Sequence, residues 1–364
     1  MRAALVREPG SPFRIEEVQI ADPIGREVLV ELRAAGLCHS DLFSAHSGHH
    51  PFPALYGHEP AGIVTAVGPQ VTEFSVGDHV VGCLIQYCGR CRRCLGGRVT
   101  ECQSTEATLR ADSEPPRLSV DGDAVYQGMA LGGFAQQMLV HEAQLVQLPK
   151  DMPWAQAALI GCGVVTGAGT VLNTARVEAG SSVVILGAGG VGLSAISGAR
   201  VAGATTIIAV DISEGKLDRA QAFGATHVVN SAEEDSVRRV REITDGADYV
   251  IDCVGAAGLQ RQGLDMLTTA GGGRLYLVGV GTGTAGLELS SFEMLMGKYR
   301  IEGAYMGSTN PKSDIPMYVD LYQQDRFNLD DLVTQTIRLS EIDEAYKSLS
   351  DPSVARIVVT DFEN

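Results

Sequence analysis

The chain has 364 residues, of which 45% are apolar and 20% charged, with a formal net charge of −16 at pH 7. This length exceeds one ordinary hydrophobic core and predicts two domains, and the composition is that of a globular rather than a disordered protein. The acidic balance excludes a general polyanion-binding protein, because phosphate contacts need clustered lysine and arginine. We therefore expect small molecules or copies of the chain itself as partners, and not nucleic acid.

The uncharged stretches do not predict a membrane protein. The first residues, MRAALVREPGSPF, contain no apolar run of signal-peptide length. Residues 152–175 and 179–199 are long enough to span a bilayer, but glycines, Asn173 and hydroxyl side chains interrupt them. We expect no membrane partner and a cytoplasmic location. Eight cysteines without a signal peptide then favour metal ligands or free thiols over disulfides.

The first part of the chain has the pattern of a mostly β domain. Short β-type runs such as EVLVELRAAG, GIVTAVGP and GDHVVGCLI alternate with glycine and proline turn signals. After Gly163 strands and helices alternate, beginning with SSVVIL, the helical VGLSAISGARVAGA and the strand TIIAVDIS. Parallel strands need such helical crossovers, so a doubly wound parallel sheet is predicted here. The helix-forming IPMYVDLYQQDRF and a last strand, ARIVVTDF, close the chain.

The segment GAGGVG matches the pattern G-x-G-x-x-G of dinucleotide-binding turns. It follows the strand VVIL and opens a helix, and Asp211 ends the next strand. Glycines allow a tight turn and close approach of the backbone to a pyrophosphate, and an acidic residue about twenty positions on binds the ribose hydroxyls. Asp211 also repels a 2′-phosphate, which favours NAD over NADP, and Lys216 can reach the same ribose. The alternative is a structural glycine turn with a surface aspartate. The predicted cofactor-binding glycines are Gly187, Gly189, Gly190 and Gly192.

Four cysteines lie close together in the spacing C-x2-C-x2-C-x7-C. They are Cys88, Cys91, Cys94 and Cys102. Four thiolates suffice for a closed tetrahedral zinc, which stabilises a fold and leaves no position for chemistry. Redox thiols or disulfides would need an oxidising compartment or a thioredoxin-like fold, and the sequence indicates neither. An iron–sulfur site is an alternative that is consistent with the four cysteine ligands taken by themselves. A nucleic-acid finger is suggested by the neighbouring arginines, but one small basic patch in an acidic chain gives little phosphate affinity. We predict a structural zinc lobe over 84–104.

A second metal site requires residues that are distant in sequence. The segments GLCHSD, YGHEPAG and IGCGVVTG supply Cys38, His58 and Cys162. Two cysteines and one histidine form a three-ligand zinc set that leaves the fourth position for water or substrate. An open zinc is a Lewis acid that can polarise a carbonyl and hold an alkoxide near neutral pH.

In this order and spacing the motifs resemble those of the zinc-dependent medium-chain alcohol dehydrogenases. The resemblance rests on GLCHSD, GHEPAG, the four-cysteine loop, GCGVVTG, GAGGVG and Asp211, and covers nearly the whole chain. It implies an α/β protein with a mostly β, GroES-like catalytic domain, residues 1–163 and 305–364, and a doubly wound Rossmann domain, residues 164–304. It also implies NAD and two zinc ions per chain, one catalytic and one structural.

The resemblance further implies roles for single residues. Cys38, His58 and Cys162 match the catalytic zinc ligands. Glu59 matches a carboxylate that approaches the metal, and Asp41 matches the partner that orients the histidine ligand.

Substrate and cofactor residues are implied in the same way. Ser40 matches the hydroxyl that binds the substrate oxygen and starts the proton relay, and His39 a basic residue against the cofactor pyrophosphate. Where many relatives carry a relay histidine, this chain has Phe43, so the proton leaves by another route. The other implied cofactor contacts are Thr166, Val191, Val280 and Arg356.

The implied reaction is NAD-linked oxidation of a primary or secondary alcohol, and the reverse, by hydride transfer from a zinc-bound alkoxide. Ala130 and Leu131 match pocket-lining positions, and their small size predicts a bulky or aromatic alcohol. One alternative is oxidation of a thiol–formaldehyde adduct, for which the segment between Cys102 and Phe134 offers only two cations, Arg110 and Arg117. The other is a non-catalytic, zinc-stapled NAD-binding protein, against which the intact three-ligand set argues. The length of that segment implies a homodimer, with a homotetramer as the alternative.

Overall fold

The computed structural model describes residues 1–281, 286–349 and 351–363. The strands are β1 (Arg2–Val6), β2 (Arg14–Glu17), β3 (Gln19–Ile20), β4 (Glu27–Gly36), β5 (Ala54–Leu55), β6 (Glu59–Val67), β7 (His79–Gly82), β8 (Leu118–Val120), β9 (Asp123–Ala124), β10 (Tyr126–Gln127), β11 (Gln137–His141), β12 (Leu145–Leu148), β13 (Ser182–Leu186), β14 (Thr206–Asp211), β15 (His227–Asn230), β16 (Tyr249–Asp252), β17 (Arg274–Leu277), β18 (Arg300–Gly303), β19 (Val333–Arg338) and β20 (Arg356–Asp361). The α-helices are α1 (His39–Ser47), α2 (Arg92–Leu95), α3 (Trp154–Leu159), α4 (Val165–Gly169), α5 (Gly190–Ala202), α6 (Glu214–Phe223), α7 (Ser236–Thr244), α8 (Ala257–Met266), α9 (Ser291–Gly297), α10 (Pro311–Gln323) and α11 (Ile342–Ser348).

The chain divides into two compact units. The first contains Met1–Cys162, Asn310–Gln323 and Leu329–Asn364, and the second contains Gly163–Thr309 and Gln324–Asn328. The first is mostly β and the second alternates strands with helices. The predicted α/β class, with a mostly β part and a doubly wound parallel sheet, is confirmed.

The first unit is organised around the long strand β4. This strand pairs with β6, β11 and β20 in a sheet of order β12-β7-β6-β4-β20-β19. Its sequence EVLVELRAAG is mostly buried, as expected for a strand in the middle of a sheet. The antiparallel register sets Gly36 at the end of β4 opposite Glu59 at the start of β6. The residues that follow β4 and precede β6, Cys38 and His58, are thereby brought side by side.

A buried ion cluster holds the long connection after the four-cysteine loop. The Glu27 carboxylate on β4 accepts hydrogen bonds from Arg110 Nη2 at 2.6 Å and Arg117 Nε at 2.7 Å, and from the backbone N–H of Ile24 at 3.0 Å. Arg117 also donates to the carbonyl of Thr108 at 2.6 Å. Both arginine side chains are buried, so a segment with little regular structure is fixed by charge and not by an apolar core.

The second unit is a six-stranded parallel sheet of order β15-β14-β13-β16-β17-β18. Its strands are short apolar runs such as SVVIL and YVID, buried on both faces because helices cover both sides. The order reverses between β13 and β16, since β13 leads to β14 on one side and the chain returns to β16 on the other. In sheets of this kind ligands bind at the carboxyl ends of the strands beside this reversal.

One helical stretch, Trp154–Ala175, has the length and hydropathy of a membrane span, and 78% of its most apolar window is buried inside the protein. It includes α3, α4 and two π-helical turns, Ile160–Val164 and Thr170–Ala175. Burial of this kind is typical of a core helix, and the apolar composition follows from packing.

Replacing Glu27 by Gln should destabilise the protein by about 3 kcal/mol at pH 7, because two buried arginines lose their charged partner. Burial alone would raise the pKa of Glu27, but hydrogen bonds from Arg110, Ile24 and Arg117 hold it below its ordinary value. A lowered pKa contributes stability that is present above the unfolded pKa of about 4.3 and is lost as the pH falls through the folded pKa. The difference between wild type and variant should therefore shrink below about pH 4. Guanidinium unfolding of both proteins at several pH values measures this difference in the free energy of unfolding.

The matched control is Glu31→Gln on the same strand. Glu31 is partly exposed and pairs with Arg33 at 2.8 Å, so its loss should cost less than about 1 kcal/mol at any pH. Equal effects of the two substitutions would contradict a special role for Glu27.

Candidate active site

Four side chains of the first unit meet where β4 ends and β6 begins. The ligand atoms of Cys38, His58, Glu59 and Cys162 all lie within 4.8 Å of one another. Cys38 is the N-cap of α1 and is separated from the end of β4 by one residue, Leu37, and His58 directly precedes β6. Three of the four are buried, and Cys38 is partly exposed. The structure thus brings together the three predicted zinc ligands and the predicted carboxylate.

The histidine is oriented by Asp41 on α1. Asp41 Oδ1 lies 2.9 Å from His58 Nδ1 and accepts the backbone N–H of Gly57 at 3.0 Å. Both side chains are buried. His58 Nε2 is also buried, and among the described residues it has no hydrogen-bond partner. A carboxylate on one ring nitrogen and a buried, unpartnered second nitrogen is the arrangement of a metal-ligating histidine.

Cys162 reaches the cluster from the π-helical turn Ile160–Val164. Such turns are rare in proteins overall, and those that occur are often found at functional sites. A Cβ on Gly161 would clash with the carbonyl of Gly82 at the end of β7, so the turn lies directly against the sheet. This close approach places the thiol beside Cys38.

Glu59 lies deeper in the same cluster and forms an ion pair with Arg356, at the start of β20. Both residues are buried. Arg356 was predicted as a cofactor contact, and in the structure its guanidinium is paired with Glu59. Burial raises the pKa of Glu59 to about 7, against the opposing effects of Arg356 and His58. A Cβ on Gly36 would clash with the Glu59 carboxylate, so the glycine leaves the space that this carboxylate occupies.

The cluster fits a zinc ion by the chemistry of its donors. Hydrogen bonding from Cys162 holds the pKa of Cys38 well below its ordinary value, assisted by His58 against the effect of burial. A metal ligand must be a thiolate, and this environment favours one. Two thiolates and an imidazole nitrogen are soft to borderline donors that suit zinc, and three protein ligands leave one position open.

The second cysteine cluster has a different character. The sulfur atoms of Cys88, Cys91, Cys94 and Cys102 lie within 4.8 Å of one another, with no histidine or carboxylate among them. Backbone N–H groups point at the sulfurs, with Cys88 N 3.2 Å from Cys102 Sγ and Cys91 N 3.3 Å from Cys88 Sγ. Backbone N–H groups of Gln103 and Cys94 lower the pKa of Cys91 to about 6. Four thiolates supported in this way fit a closed structural zinc.

The predicted dinucleotide turn lies at the carboxyl edge of the parallel sheet. Gly187 follows β13 with a φ of 90°, which favours glycine, and a Cβ on Gly192 would clash with its carbonyl oxygen. A Cβ on Gly189 would meet nothing within 4 Å, so this part of the backbone is open to a ligand. The turn therefore forms a cradle at the N-terminus of α5, where a pyrophosphate fits.

Asp211 supports the same turn at the end of β14. Its Oδ2 accepts the N–H of Ala188 at 2.8 Å, and its Oδ1 accepts the N–H groups of Ile212 and Ser213 at 2.8 and 3.1 Å. The acidic group is thus fixed next to the glycine cradle, as a ribose-binding carboxylate requires. Lys216 lies one turn into the following helix, α6.

The other predicted cofactor residues of the second unit lie near this edge. Thr166 is on α4, and a Cβ on the adjacent Gly167 would clash with the carbonyl of Val191, so α4 and α5 are in backbone contact. Val280 follows β17 and is 68% exposed. In the first unit, Ser40 Oγ lies 3.8 Å from Cys38 Sγ, and His39 is exposed at the start of α1.

Several features differ from the expectations or were missed. Leu131 is fully buried in the core, so its side chain does not line an accessible cleft, and Arg110 and Arg117 are bound to Glu27 instead of offering free charge. Tyr346 donates its hydroxyl to the carbonyl of Cys38 at 3.4 Å, from 308 residues away. Local spacing gives no signal for contacts between residues so far apart.

Profiles of two protein families match the chain. The alcohol dehydrogenase GroES-like domain matches residues 25–150, and the zinc-binding dehydrogenase family matches residues 190–324.

Three known proteins are similar over nearly the full length. S-(hydroxymethyl)glutathione dehydrogenase of Paracoccus denitrificans is 34% identical, over 98% of this chain and 99% of its own. Alcohol dehydrogenase B of Mycobacterium tuberculosis is 37% identical, over 98% of this chain and 97% of its own. The crystal structure of benzyl alcohol dehydrogenase from Acinetobacter calcoaceticus has a TM-score of 0.92 at 36% identity and covers 99% of each chain.

The purified chain should contain two zinc ions, and single cysteine substitutions should separate them. Cys94→Ser should lower Tm, because the lobe loses a structural ligand. Cys162→Ser should leave Tm nearly unchanged and reduce alcohol oxidation by more than about a hundredfold, since even the partners of metal ligands contribute about 10- to 100-fold. Elemental analysis, thermal unfolding and activity assays test both.

Cys253→Ser is the control, because Cys253 belongs to neither cluster, and it should retain both ions. If Cys94→Ser kept full heat stability and lost only activity, the two assignments would be wrong.

Proposed function

Because the chain belongs to the zinc-dependent alcohol dehydrogenases, a family of oxidoreductases, we propose that it oxidises an uncharged primary or secondary alcohol with NAD and catalyses the reverse reduction. The observation that carries the proposal is the largely buried set of Cys38, His58 and Cys162 beside Glu59, on the same chain as a glycine cradle flanked by Asp211. A zinc-stapled binding protein would not need the first of these sites.

Zinc would supply a Lewis acid that polarises the substrate oxygen, and NAD would accept the hydride. Cys38, His58 and Cys162 would hold the metal and leave one position for substrate. Asp41 keeps the imidazole in one orientation through its 2.9 Å contact with Nδ1.

The alcohol proton is assigned to Ser40, which lies beside the ligand cluster at the start of α1. Its hydroxyl can accept the proton and donate its own toward solvent. Phe43 lies about one helical turn further on the same helix, is 46% exposed and has no group that carries a proton. We assign Phe43 to an apolar wall that an aromatic or bulky substrate would contact, and proton exit to a route past exposed His39.

An uncharged alcohol is favoured over a thiol–formaldehyde adduct. An anionic adduct needs a free cation in its binding site. The two arginines available in the segment between Cys102 and Phe134, Arg110 and Arg117, are buried and paired with Glu27. The similarity to a benzyl alcohol dehydrogenase supports an aromatic alcohol, and the similarity to an S-(hydroxymethyl)glutathione dehydrogenase makes the adduct the alternative to test.

NAD is favoured over NADP by the carboxylate of Asp211. Three backbone N–H groups, of Ala188, Ile212 and Ser213, hold that carboxylate in place, so it cannot turn away from a 2′-phosphate without losing them. Lys216, five residues after Asp211 on the following helix, is a cation that could reach the same ribose.

NADH formation, followed by absorbance, tests the function directly. We expect turnover of benzyl-type and other apolar alcohols with NAD, and kcat/KM at least about tenfold lower with NADP, since one lost charge-assisted contact or one repulsion corresponds to about 1.4 kcal/mol or more. Replacing Asp211 by Gly should narrow the difference in kcat/KM between NAD and NADP. Efficient oxidation of S-(hydroxymethyl)glutathione, together with no turnover of any of the alcohols, would establish the alternative.

The quaternary structure is proposed to be a homodimer formed by the second unit. Phe292, Leu295 and Met296 are exposed on one face of α9, at positions i, i+3 and i+4. The adjacent strand β18 is an edge of the parallel sheet, and within the described ranges no strand pairs with its outer side. A two-fold axis at this edge would let two copies cover the same patch on each other.

Sedimentation should therefore give twice the chain mass of 38.4 kDa. Leu295→Glu should shift the protein toward monomer, because the charge would enter an apolar interface. Val76→Glu, an exposed apolar position in the first unit, is the control and should change nothing. A dimer equally stable in Leu295→Glu would place the interface elsewhere, and four chain masses would support the tetramer.

A further inference from the structure

The loops after β13 and β16 meet at the point where the strand order of the sheet reverses. Gly187 follows β13, and the N–H of Cys253, after β16, donates to the carbonyl of Leu186 at 2.9 Å. A Cβ on Gly187 would lie 2.6 Å from Cγ2 of Val254, so the valine side chain covers this glycine. Val254 remains 46% exposed at an edge where ligands bind.

Asp252, the last residue of β16, is fully buried beneath this loop. Its Oδ1 accepts the N–H groups of Val254 and Gly255 at 2.9 and 3.0 Å. Its Oδ2 accepts the N–H of Gly255 at 3.2 Å and Gln260 Nε2 at 3.0 Å, from α8. A buried carboxylate is unfavourable unless donors satisfy it, and here the donors belong to the loop after β16 and to α8.

The backbone of Asp252 also holds the next loop. Its carbonyl accepts the N–H groups of Val278 and Gly279, both at 2.9 Å. The two loops are packed backbone to backbone, because a Cβ on Gly255 would lie 2.6 Å from the carbonyl oxygen of Gly279. Val280, exposed on this second loop, is therefore fixed relative to Val254.

We propose that Asp252, together with Gln260, is a positioning residue that holds the Val254 and Val280 loops in the shape that binds the dinucleotide. The inference rests on the proposed function, since it assigns the glycine cradle to NAD. Asp252 has no exposed surface, so its carboxylate is not available for direct contact with a cofactor. Its contribution is to cofactor affinity and not to the handling of the alcohol.

Asp252→Asn tests the proposal, because it keeps the shape but replaces an acceptor by a donor that faces Gly255 and Gln260. We expect the Kd for NADH, measured by fluorescence titration, to rise about tenfold, the loss typical of a charge-assisted hydrogen bond. The KM for the alcohol at saturating NAD should stay within about twofold of wild type, as expected for an effect confined to cofactor binding. Amide hydrogen exchange of the loop after β16 should become faster.

Asp248→Asn is the matched control, at the other end of the same strand. Asp248 accepts the N–H and hydroxyl of Ser182 at 2.8 and 2.7 Å, at the edge away from the cradle. It should leave the Kd for NADH unchanged. In Asp252→Asn with Gln260→Glu, the new amide can donate to the new carboxylate, so affinity should return toward wild type.

Gln260→Leu removes one donor and leaves the carboxylate, so it provides a milder variant if Asp252→Asn does not fold. It should raise the Kd less, in the same direction. The proposal is wrong if Asp252→Asn or Gln260→Leu binds NADH as tightly as wild type, or if Asp248→Asn loses equal affinity. A wild-type chain that binds no NADH would instead overturn the proposed cofactor, and the role of Asp252 with it.

Discussion

The antiparallel pairing of β4 with β6 is the constraint on which the metal site depends. It sets Gly36 opposite Glu59, and the chain leaves one strand through Cys38 and enters the other through His58. A shift of register by one residue would turn every side chain of a strand to the other face. The buried apolar pattern of β4 prevents such a shift, so the geometry of the ligands is determined by the packing of a sheet that contains none of the cysteines.

Buried carboxylates fix the loops that the sheets leave free. Glu27 binds two arginines of the connection after the four-cysteine loop, Asp41 binds a backbone N–H and the zinc-site histidine, and Asp252 binds the loop beside the glycine cradle. Glu27 and Asp252 each accept hydrogen bonds from several donors, and Asp41 contacts the N–H of Gly57 and the ring of His58. All three carboxylates are fully or almost fully buried. Irregular segments have no ladder of backbone hydrogen bonds, so a charged acceptor with several donors replaces it.

The sequence was informative where chemistry is encoded by short spacing. The four-cysteine loop and the glycine turn each lie within fifteen residues, and both are clustered in the structure as predicted. The alternation of strands and helices likewise predicted the parallel sheet. Contacts across long separations gave no such signal: Glu27 meets Arg110 and Arg117 at 83 and 90 residues. The family resemblance placed Leu131 at a pocket-lining position, but its side chain is fully buried, and burial depends on neighbours that spacing does not reveal.

The two cysteine clusters also differ in charge, and this difference explains the arginines around one of them. A zinc ion with four thiolates has a net charge of −2, whereas one with two thiolates and a neutral imidazole is neutral. The four-thiolate lobe contains Arg90, Arg92, Arg93 and Arg98. Arg93 and Arg98 are also near Glu101, at 2.9 and 3.8 Å, so the basic patch is partly neutralised within the lobe. The arginines therefore offset a local negative charge, and an acidic chain needs no polyanionic partner to account for them.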